Sequence, residues 1–335
     1  MASATKVRIG DVARAAGVSV GTVSNVLNRP EIVSTDTRDR VHAAIAELGF
    51  VPNASARQLR EGASRTAGVL VLDIANPFFT EMARGIEDRL IEAGLTMSLS
   101  SSDADPERER RVLEQFAQQR LRGVLVTPSR GTRDNLGILL EQGTRVVLLD
   151  HRPADSDLDA VASDDVAGGR IALQHLLALG HRRIGFLNGS LDIKQCRDRR
   201  EGARQAITEH GGDPDEDLIE IEVASMDATN GHGAMAQLLE DHGELTAVFC
   251  INDLVALGAM RAARETEVAV PGELSVLGYD DVSFAGELAV PLTSVRQPMY
   301  QMGAEAAGLL LDPGAARQIL FTPALVVRAS TAPPR

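Results

Sequence analysis

Acidic and amide residues stand at the ends of four apolar segments of strand length, and side chains of these types bind small polar molecules through hydrogen bonds. The segments are Gly68–Asp73, Arg145–Asp150, Ala247–Ile251 followed by Asn252, and Ser275–Tyr279 followed by Asp280. Carboxylate oxygens accept hydrogen bonds, and an amide both donates and accepts them. If the fold brings these residues together, they would suit a ligand that carries several hydroxyl groups.

The alternation of strand-length and helical segments predicts how these residues are positioned. The helical segments are Phe79–Ala93, Glu107–Gln119, Val166–Leu179, Arg199–Glu209, His232–Asp241 and Leu254–Glu265. Repeated strand–helix units with continuous apolar strands predict an α/β fold, a doubly wound parallel sheet with helices on both faces. Ligands of such sheets bind beyond the carboxyl ends of the strands. About 270 residues exceed one such unit, so we expect two similar lobes.

The segment after the first predicted strand adds further candidates for ligand contact. Asp73 is followed by Asn76, Phe78 and Phe79 rather than by a glycine-rich phosphate loop, which argues against dinucleotide binding. The two phenylalanines would either stack on the face of a sugar or purine ring or belong to the core of the lobe.

A different pattern lies near the N-terminus, where residues 8–28 contain two short helical patterns around Gly17-Val18-Ser19. A glycine at this point lets the helices cross, and Ser19 can cap the second helix. A small core can close between the helices, formed by Val12, Ala16, Val23 and Val26. Ser24 and Asn25 then stay outside. This layout is typical of a helix-turn-helix with an exposed reading helix, which predicts a DNA-binding head.

The head continues with a third helix, which Ser34 is placed to begin and Gly49 to end. Asn53 then begins a very short helix over residues 53–59, which would be marginal alone in water. We expect that short helix to fold only on DNA or against a second copy of the chain. Residues 61–66 are predicted to form a linker.

The charge is divided unevenly between these two parts of the chain. Residues 1–65 carry nine Lys/Arg and six Asp/Glu, whereas the remainder carries 25 basic and 41 acidic residues. The net charges are +3 and −16, which gives −13 for the whole chain. A mildly basic head on an acidic body would turn the head toward phosphate groups. Two heads in a dimer would add to this effect, and nonspecific DNA affinity should fall steeply with salt.

Composition argues against several other classes of protein. No apolar run approaches the length of about 18 residues that a membrane span needs, and the N-terminus lacks the apolar stretch of a secretory signal. Cys196 and Cys250 are far apart in the sequence, without metal-ligand spacing, and are expected to be reduced thiols. We predict no metal site, no catalytic residue and no cofactor, and we expect a cytoplasmic protein. The adjacent carboxylates Asp280 and Asp281 do not favour a glycosidase, because neighbouring side chains in a loop usually diverge.

The ordered set of motifs in this chain resembles the lactose-repressor (LacI/GalR) family of bacterial transcription regulators. The head contributes Asp11-Val-Ala-x-x-Ala-Gly-Val-Ser19, Thr22-Val-Ser24, Leu27-Asn28 and Pro52-Asn-x-x-Ala-Arg-x-Leu59. The body contributes His181-Arg-Arg-Ile184, Arg199-x-x-Gly202, Asn252-Asp-x-x-Ala-x-Gly258, Gly278-Tyr-Asp-Asp281 and Leu292-Thr-x-x-Arg-Gln297. Each motif is weak by itself, but together they follow the family order over nearly the whole chain.

The resemblance implies roles for the residues of the reading helix. The positions at which the family meets base edges are here Val20, Gly21, Ser24 and Asn25. Asn25 can pair bidentately with adenine, Val20 can touch a thymine methyl group, and Gly21 offers no side chain. Thr22 and Asn28 fall where phosphate contacts would position the helix without specifying a sequence.

The resemblance also implies a hinge that acts on DNA. Leu59 occupies the position at which the family inserts a pair of leucines into the minor groove at the operator centre, with Ala56 and Arg57 nearby. Apolar wedges unstack a base step and bend the duplex. Each hinge helix would therefore be stable only when both the DNA and the partner hinge are present.

On the effector side, Arg199 matches a family arginine that contacts the effector, and a guanidinium offers a fixed fork of donors. Arg197 would either contact the ligand or line the rim of its site. Asp150 and Asp280 match acceptor positions, and Asn252 matches an amide position. The predicted effector site is completed by Asp73, Asn76, Phe78 and Phe79.

Three nearby residues bear on this site without being assigned to it. Asp253 and Asp281 are interpreted as structural residues that brace their loops. The family often carries an aromatic residue where the nearest match here is Met226, a poor flat platform for a sugar. We therefore predict a sugar effector, with a nucleoside or another small polar metabolite as the alternative.

The resemblance implies three parts of the chain: a helix-turn-helix domain over 1–52, a hinge helix and linker over 53–65, and an effector-binding and dimerisation domain over 66–335. This last domain is expected to consist of two lobes like those of periplasmic binding proteins. One lobe would take residues 66–162 and a segment near 292–320. Residues 329–335 are expected to form a frayed end.

The resemblance implies that the protein is a transcription repressor. It would bind near-palindromic operator DNA as a homodimer and respond to a small effector. A solute-binding protein is the alternative, because the body resembles one. That alternative predicts a secretion signal and no head, and the sequence shows the reverse.

Overall fold

The computed structural model describes residues 7–51, 64–129, 132–151, 158–312 and 314–335, and for residue 133 the backbone only. The chain forms two compact units, Met1–Ala63 and Ser64–Arg335. The first unit contains the head, and the second contains the body.

The head consists of helices α1 (Ile9–Ala16), α2 (Val20–Asn28) and α3 (Thr35–Leu48), with a 3-10 turn at Pro30–Ile32. Gly17 has a φ of 64°, which glycine adopts without strain and which turns the chain between α1 and α2. Ser19 caps α2, since its Oγ accepts a hydrogen bond from the N–H of Thr22 at 3.0 Å. The helices close around Val12, Ala13, Ala16, Val23, Val26, Val41 and Ala44. The predicted helix-turn-helix and its core are confirmed.

The body alternates strands and helices. In chain order its elements are β1 (Thr66–Val71), α4 (Pro77–Glu92), β2 (Thr96–Ser101), α5 (Pro106–Gln118), β3 (Val124–Val126), α6 (Thr132–Asn135), α7 (Gly137–Glu141), β4 (Val146–Leu149), β5 (Asp159–Ser163), α8 (Asp165–Ala178), β6 (Ile184–Asn188), α9 (Lys194–Glu209), α10 (Pro214–Asp217), β7 (Leu218–Glu222), α11 (Ala228–Asp241), β8 (Ala247–Cys250), α12 (Asp253–Glu265), β9 (Ser275–Asp280), β10 (Thr293–Arg296), α13 (Met299–Leu311), β11 (Gln318–Phe321) and β12 (Ala324–Val326). Among the described residues, no helix is long and apolar enough to cross a bilayer.

The strands form two sheets, each of six strands, and each sheet is the centre of one lobe. The first lobe has the order β11-β5-β4-β3-β1-β2, and the second has the order β12-β10-β9-β8-β6-β7. Neighbouring strands are parallel except for β10 and β12, which are antiparallel. The interior strands are buried, for example β4 and β8 along their whole length. The predicted α/β fold with two parallel-sheet lobes is confirmed.

The chain crosses between the lobes after β5, after β10 and after β11. The expected start of the second crossing, near residue 292, is wrong by a few residues. Thr293–Arg296 forms β10, which pairs with β9 in the second sheet, so the chain crosses only after Arg296. The reason is that β10 fills the place between β9 and β12 and buries Thr293, Ser294 and Val295 there.

Glycines allow helices α8 and α9 to approach each other closely, and this contact positions Arg199. A Cβ at Gly169 would lie 2.0 Å from the carbonyl oxygen of Arg199, and a Cβ at Gly202 would lie 1.9 Å from that of Val166. Any side chain at either position would push the helices apart. The close packing therefore fixes the backbone of Arg199 against the start of α8, directly after the first crossing between the lobes.

The expectation of a frayed C-terminal end is wrong. Ser330 is fully buried; its Oγ donates to the carbonyl of Val276 at 2.6 Å and accepts from the N–H of Thr293 at 2.8 Å. The imidazole of His181 lies 2.9 Å from the carbonyl oxygen of Ala332. These contacts fasten the tail to the second lobe, and they pair residues too distant in sequence to be recognised from the composition of the tail.

Candidate functional site

A narrow cavity lies between the lobes, at the carboxyl ends of both sheets, with a volume of about 40 Å³. The predicted effector residues that line it are Asn76, Phe78, Phe79, Asp150, Arg199, Asn252 and Asp280. Residues that were not selected from the sequence line it too: Leu72, Ile193, Gln195, Cys196, Met226 and Ile251. Leu72 and Ile251 directly precede polar residues at strand ends, and Gln195 lies one helical turn before Arg199. Their spacing could have revealed them.

Arg199 lies at the centre of this site and is only 5 % exposed. Its Nε donates to Asp165 Oδ1 at 2.8 Å, and its Nη1 donates to the carbonyl of Ile251 at 2.6 Å. The guanidinium carbon lies 3.7 Å from the centroid of the Tyr279 ring. Nη2 makes a longer contact, 3.9 Å, with Asp280 Oδ1. The arginine is thus held firmly, and Nη2 is the nitrogen best placed to donate to a ligand.

Two of these supports, Asp165 and Tyr279, were not predicted. Asp165 is the first residue of α8, directly after the chain crosses from the first lobe to the second. The hydroxyl of Tyr279 donates to Asp165 Oδ1 at 3.1 Å. Asp165 therefore links the crossing segment to the arginine of the site, a role that depends on contacts between distant segments.

Three buried carboxyl groups surround the single guanidinium. Burial raises the pKa of Asp280 to about 8, although Arg199 opposes this rise. Burial also raises the pKa of Asp150 well above its ordinary value, and the neighbouring charge of Asp165 adds to the rise. For Asp165 itself, burial raises the pKa while Arg199 lowers it, and the net result is a rise. Carboxyl groups with raised pKa can hold protons near neutrality, so they can both accept and donate hydrogen bonds.

The charge of Arg199 itself is secure. Burial alone lowers the pKa of the guanidinium, but the surrounding groups, Asp165 first among them, raise it by more. The site therefore combines one permanent cation with acidic groups whose protonation can adjust to a ligand.

The apolar side of the cavity is formed by Phe78 and Phe79 at the start of α4. Their rings are edge to face, with centroids 5.0 Å apart and an interplanar angle of 84°. Asn76 caps this helix by accepting from the N–H of Phe78 at 3.0 Å. Asn252 caps α12 in the same way at 2.8 Å, and its Nδ2 donates to the carbonyl of Met226 at 3.0 Å. Both asparagines are therefore oriented by the local structure before any ligand binds.

Two predicted effector residues, Asp73 and Arg197, do not line the cavity. The carboxylate of Asp73 accepts from the N–H of Ala75 at 2.8 Å and closes the turn after β1. Arg197 is exposed, and its Nη1 donates to the carbonyl of Leu191 at 2.5 Å. Residues two apart on a helix point in nearly opposite directions, so Arg197 and Arg199 cannot both face the cleft.

Polar side-chain atoms that are buried without a hydrogen-bond partner concentrate at this edge of the two sheets. Among the described residues they include five atoms that lie at or just after the ends of β3, β4, β5, β6 and β10. These atoms are, in that order, Thr127 Oγ1, Asp150 Oδ1, Ser163 Oγ, Asn188 Oδ1 and Gln297 Oε1. Leaving such a group unpaired costs about 1–3 kcal/mol. Of these five residues, Asp150 is the one that lines the cavity, so a polar ligand there could supply the hydrogen bond that Asp150 Oδ1 lacks.

Asp253 and Asp281 have structural partners, in agreement with their interpretation from the sequence. Asp253 accepts from Ser294 Oγ at 2.7 Å, and burial raises its pKa to about 7. Asp281 lies 2.6 Å from the guanidinium groups of both Arg296 and Arg328. These contacts brace the loop that follows β9, and Asp280 is the last residue of that strand.

In the head, α2 presents its predicted base-contact residues outward. Val20 is 48 % exposed, and Gly21 and Asn25 are exposed as well. A Cβ built at Gly21 would meet only Ser19 Oγ, at 3.6 Å, so the space beside this glycine is open to an approaching backbone or base. Ser24 is only half-buried.

Thr22 and Asn28 also take part in the structure of the head. Thr22 Oγ1 lies 2.9 Å from Ser19 Oγ at the start of α2, and Asn28 Nδ2 donates to the carbonyl of Ser24 at 2.5 Å near its end. The predicted hinge residues Ala56, Arg57 and Leu59 lie outside the described residues, and their DNA contacts stay predictions.

A second cavity, of about 430 Å³, lies on the second lobe beside α12. Its lining is mainly apolar and is formed by Ala228, Leu257, Gly258, Met260, Arg261, Arg264, Val268, Val270, Leu288, Ala289 and Val290. It shares no residue with the cleft between the lobes.

A helix-turn-helix head, joined to a two-lobed body with a polar cleft between its sheets, defines a class of protein: DNA-binding regulators that respond to a small ligand. The comparisons agree for both parts. Residues 8–53 match the family described as bacterial regulatory proteins, lacI family, and residues 173–331 match a periplasmic binding protein-like domain.

Individual relatives extend this likeness over the whole chain. The ribose operon repressor of Escherichia coli (strain K12) is 36% identical over 326 residues, which cover 96% of this chain and 98% of the relative. A lacI-family regulator from Enterococcus faecium with bound ribose is 30% identical with a TM-score of 0.75, covering 81% of this chain and 100% of that one. The lac repressor dimer bound to operator and the anti-inducer ONPF is 28% identical with a TM-score of 0.84, covering 98% and 100%. This chain belongs to the lacI family of bacterial regulatory proteins.

Proposed function

We propose that this protein is a transcription repressor whose binding to operator DNA is switched by a sugar in the cleft between its lobes. The observation that carries the proposal is the union, in one chain, of an exposed reading helix and a buried cleft lined by carboxyl, amide and guanidinium groups. The Escherichia coli relative is named the ribose operon repressor, and the related regulator from Enterococcus faecium was solved with ribose bound.

The chemistry of the cleft favours a ligand with many hydroxyl groups. Asp150 Oδ1 is a buried acceptor that has no partner in the part of the chain that the structure describes, and Asp280 adds a second carboxyl group. Hydroxyl groups donate to carboxylates and accept from a guanidinium, so they can pair with both aspartates and with Arg199. The rings of Phe78 and Phe79 offer an apolar surface for the C–H groups of a sugar.

Ligand entry requires the lobes to separate. A cavity of about 40 Å³ is far smaller than the roughly 300 Å³ or more that ligand pockets usually have. A ligand that binds one arrangement of the lobes more tightly shifts the population toward it. Because residues 53–65 connect the body to the head, such a shift would change how the hinges of two copies meet on DNA.

The DNA contacts that we propose follow from α2. Asn25 can pair with an adenine edge, and Val20 can contact a thymine methyl group. Thr22 and Asn28 would contact phosphates, and Gly21 would let the helix approach closely. This function places the protein in the cytoplasm, where operator DNA is.

We propose that the protein acts as a homodimer, like the lac repressor dimer described above, and that the apolar cavity beside α12 belongs to the surface that meets the second copy. Leu288 and Leu257 both line this cavity, and Leu288 is half-buried. Leu288→Arg should therefore yield monomers in sedimentation experiments. A variant that stays dimeric would place the interface elsewhere.

A thermal-shift screen of pentoses, hexoses, disaccharides, nucleosides and related metabolites tests the effector. Selection from a random pool of duplexes, with and without each compound that shifts the melting temperature, tests DNA binding and shows whether the compound releases or promotes it. We expect a sugar among the positive compounds, recovered unchanged after incubation. A nucleoside as the sole hit would replace the sugar, and the absence of any preferred dyad-symmetric duplex would refute the repressor.

A further inference from the structure

One side chain, Gln195, ties the two lobes together inside the cleft. It lies in the first turn of α9 in the second lobe, and its Nε2 donates to the backbone carbonyl of Asp150 at 2.5 Å and to Oδ2 of the same residue at 2.9 Å. Asp150 follows β4 in the first lobe. Gln195 is 8 % exposed and Asp150 is 6 % exposed. Both N–H groups of the amide are therefore engaged, away from water, by one residue of the opposite lobe.

Asp150 has a conformation that needs such support. Its φ is 51°, in the left-handed region, which costs a residue with a Cβ roughly 1–2 kcal/mol. Gln195 holds both its main chain and its side chain. Because Oδ2 is engaged and Oδ1 has no partner among the described residues, the contact also determines which oxygen of this carboxyl group is left for another donor.

A related pair in the second lobe provides a comparison. Asp280 also has a left-handed φ, 103°, and its Oδ1 accepts from Gln297 Nε2 at 2.9 Å. Gln297, however, directly follows β10, which pairs with β9 in the same sheet. Asp150 and Asp280 are thus each oriented by a glutamine amide, but of the two glutamines only Gln195 lies in the lobe opposite its aspartate.

We propose that Gln195 is a positioning residue of the effector site, which holds the two lobes together and presents Oδ1 of Asp150 to a donor hydroxyl of the ligand. The second half of this statement rests on the proposed function. The tie between the lobes is a property of the protein alone, so it can be tested without a ligand.

The distance between the lobes is the direct measurement. Ile74 and Leu191 lie on opposite lobes, in the loops after β1 and β6, and are 49% and 41% exposed. The cysteines Cys196 and Cys250 are buried, so spin labels would react with Ile74→Cys and Leu191→Cys. Double electron–electron resonance on the full chain, with labelled protein diluted in unlabelled protein, then reports the separation.

We expect Gln195→Ala to lengthen and broaden this distance distribution. The control is Gln205→Ala, which removes an exposed amide from the same helix and should leave the distribution unchanged. Far-ultraviolet circular dichroism establishes that each variant is folded. A Gln195→Ala distribution that superimposes on the parent's would overturn the proposal.

Gln195→Glu gives a signature that a merely structural residue would lack. It places a carboxyl group against that of Asp150, whose charged neighbours are Asp165, Arg199 and Asp280. His151 follows Asp150 in the chain and is acted on by the charges of Lys194, Asp198 and Arg197. Two carboxyl groups in contact can share a proton, but they repel when both are ionised. The variant should therefore be closed near about pH 5 and open near about pH 9, while the parent changes much less. A Gln195→Glu distance that does not depend on pH contradicts the proposal.

A ligand arm separates this proposal from the proposed function. For a sugar that emerges from the thermal-shift screen, Gln195→Ala should weaken binding by about tenfold or more, since the hydrogen bonds that orient the carboxyl group of Asp150 are lost, and Gln205→Ala should not. Binding unchanged in Gln195→Ala would refute the presentation of Oδ1. If no sugar binds the parent, the proposed effector fails, whereas the interlobe distances still decide the tie.

Discussion

The two functional regions of this protein place their side chains in opposite environments. In the head, Val20, Gly21 and Asn25 are exposed on α2, and the buried side of the helix is formed by small apolar residues. In the body, Arg199 and Asp280 are nearly inaccessible and are held by hydrogen bonds and ion pairs. The residues proposed to read DNA are therefore little involved in holding the head together, whereas the residues proposed to bind the effector are part of the fold.

This difference has a consequence for mutations. A substitution on an exposed face changes binding and leaves stability within about 0.5 kcal/mol. A substitution in a buried, charged cluster changes both, because the remaining charges lose their partner. For each region, the change in binding and the change in the free energy of unfolding can be measured on the same variant.

The largest effect is expected for Arg199→Ala. The variant leaves Asp165, Asp280 and Asp150 buried without their cation, which should destabilise the body by about 3–5 kcal/mol. Below its melting temperature the variant should bind operator DNA but ignore the effector, as measured by gel shift with and without the compound. Arg197→Ala, exposed on the same helix, should cost less than about 1 kcal/mol. A normal effector response in Arg199→Ala would remove this residue from the site.

Leu59→Ala tests the hinge, which lies outside the described residues. Loss of an apolar wedge should weaken binding to the specific operator by about 1.5–3 kcal/mol for each copy. Binding to nonspecific DNA should stay the same, since it depends on phosphate contacts. Equal losses on both kinds of DNA would contradict the wedge.

Asn25→Ala should lower operator affinity by about 1–3 kcal/mol per half-site and relax the preference for adenine at one position. The melting temperature should not change, because Asn25 is exposed. Asn28→Ala on the same helix is the matched variant: it should weaken binding to all sequences alike. If Asn25→Ala also weakens binding to all sequences alike, Asn25 contacts the backbone of the DNA rather than a base.

The last effect is a change of stability with pH, which involves neither DNA nor the effector. The pKa of Asp280 is near 4 in an unfolded chain and about 8 in the folded protein, where burial raises it. Between these values the unfolded chain loses a proton that the folded chain keeps, so this group lowers the free energy of unfolding as pH rises. Asp280→Asn cannot ionise, and its stability relative to the parent should increase between about pH 5 and pH 8 by at least about 1 kcal/mol.

Urea unfolding at the two pH values measures this difference. Asp241→Asn, which changes an exposed carboxylate on α11, should alter stability equally at both. A constant difference between Asp280→Asn and the parent would show that Asp280 does not keep a proton in the folded state.

Much of the fold could be predicted because its signals are local. Gly17 and Ser19 mark the turn of the head, and continuous apolar runs mark the interior strands. Four of the strands that were missed lack such a signal: β5 reads Asp-Ala-Val-Ala-Ser, β7 alternates apolar and acidic residues as an edge strand does, and β11 and β12 are short and partly exposed. These strands form because the neighbouring strand is already in place.

The candidate site divides in the same way. Asp150, Asn252 and Asp280 could be found because carboxyl ends of parallel strands meet at one edge. Asp73 and Arg197 were predicted as effector residues too. In the structure, however, Asp73 closes a local turn and Arg197 bonds to the carbonyl of Leu191 outside the cleft. No spacing rule separates these cases, since the direction of each side chain depends on its neighbours in space.

The sequence by itself determined that a helix-turn-helix precedes two parallel-sheet lobes, and which strand ends carry polar side chains, because hydrophobic periodicity and turn residues act over a few positions. Only the tertiary structure decided that Asp165 and Tyr279 hold Arg199, that Gln195 reaches across to Asp150, and that the last residues are fastened beside Val276. Those contacts join segments from about 35 to more than 100 residues apart in the chain, and burial is what gives them their strength.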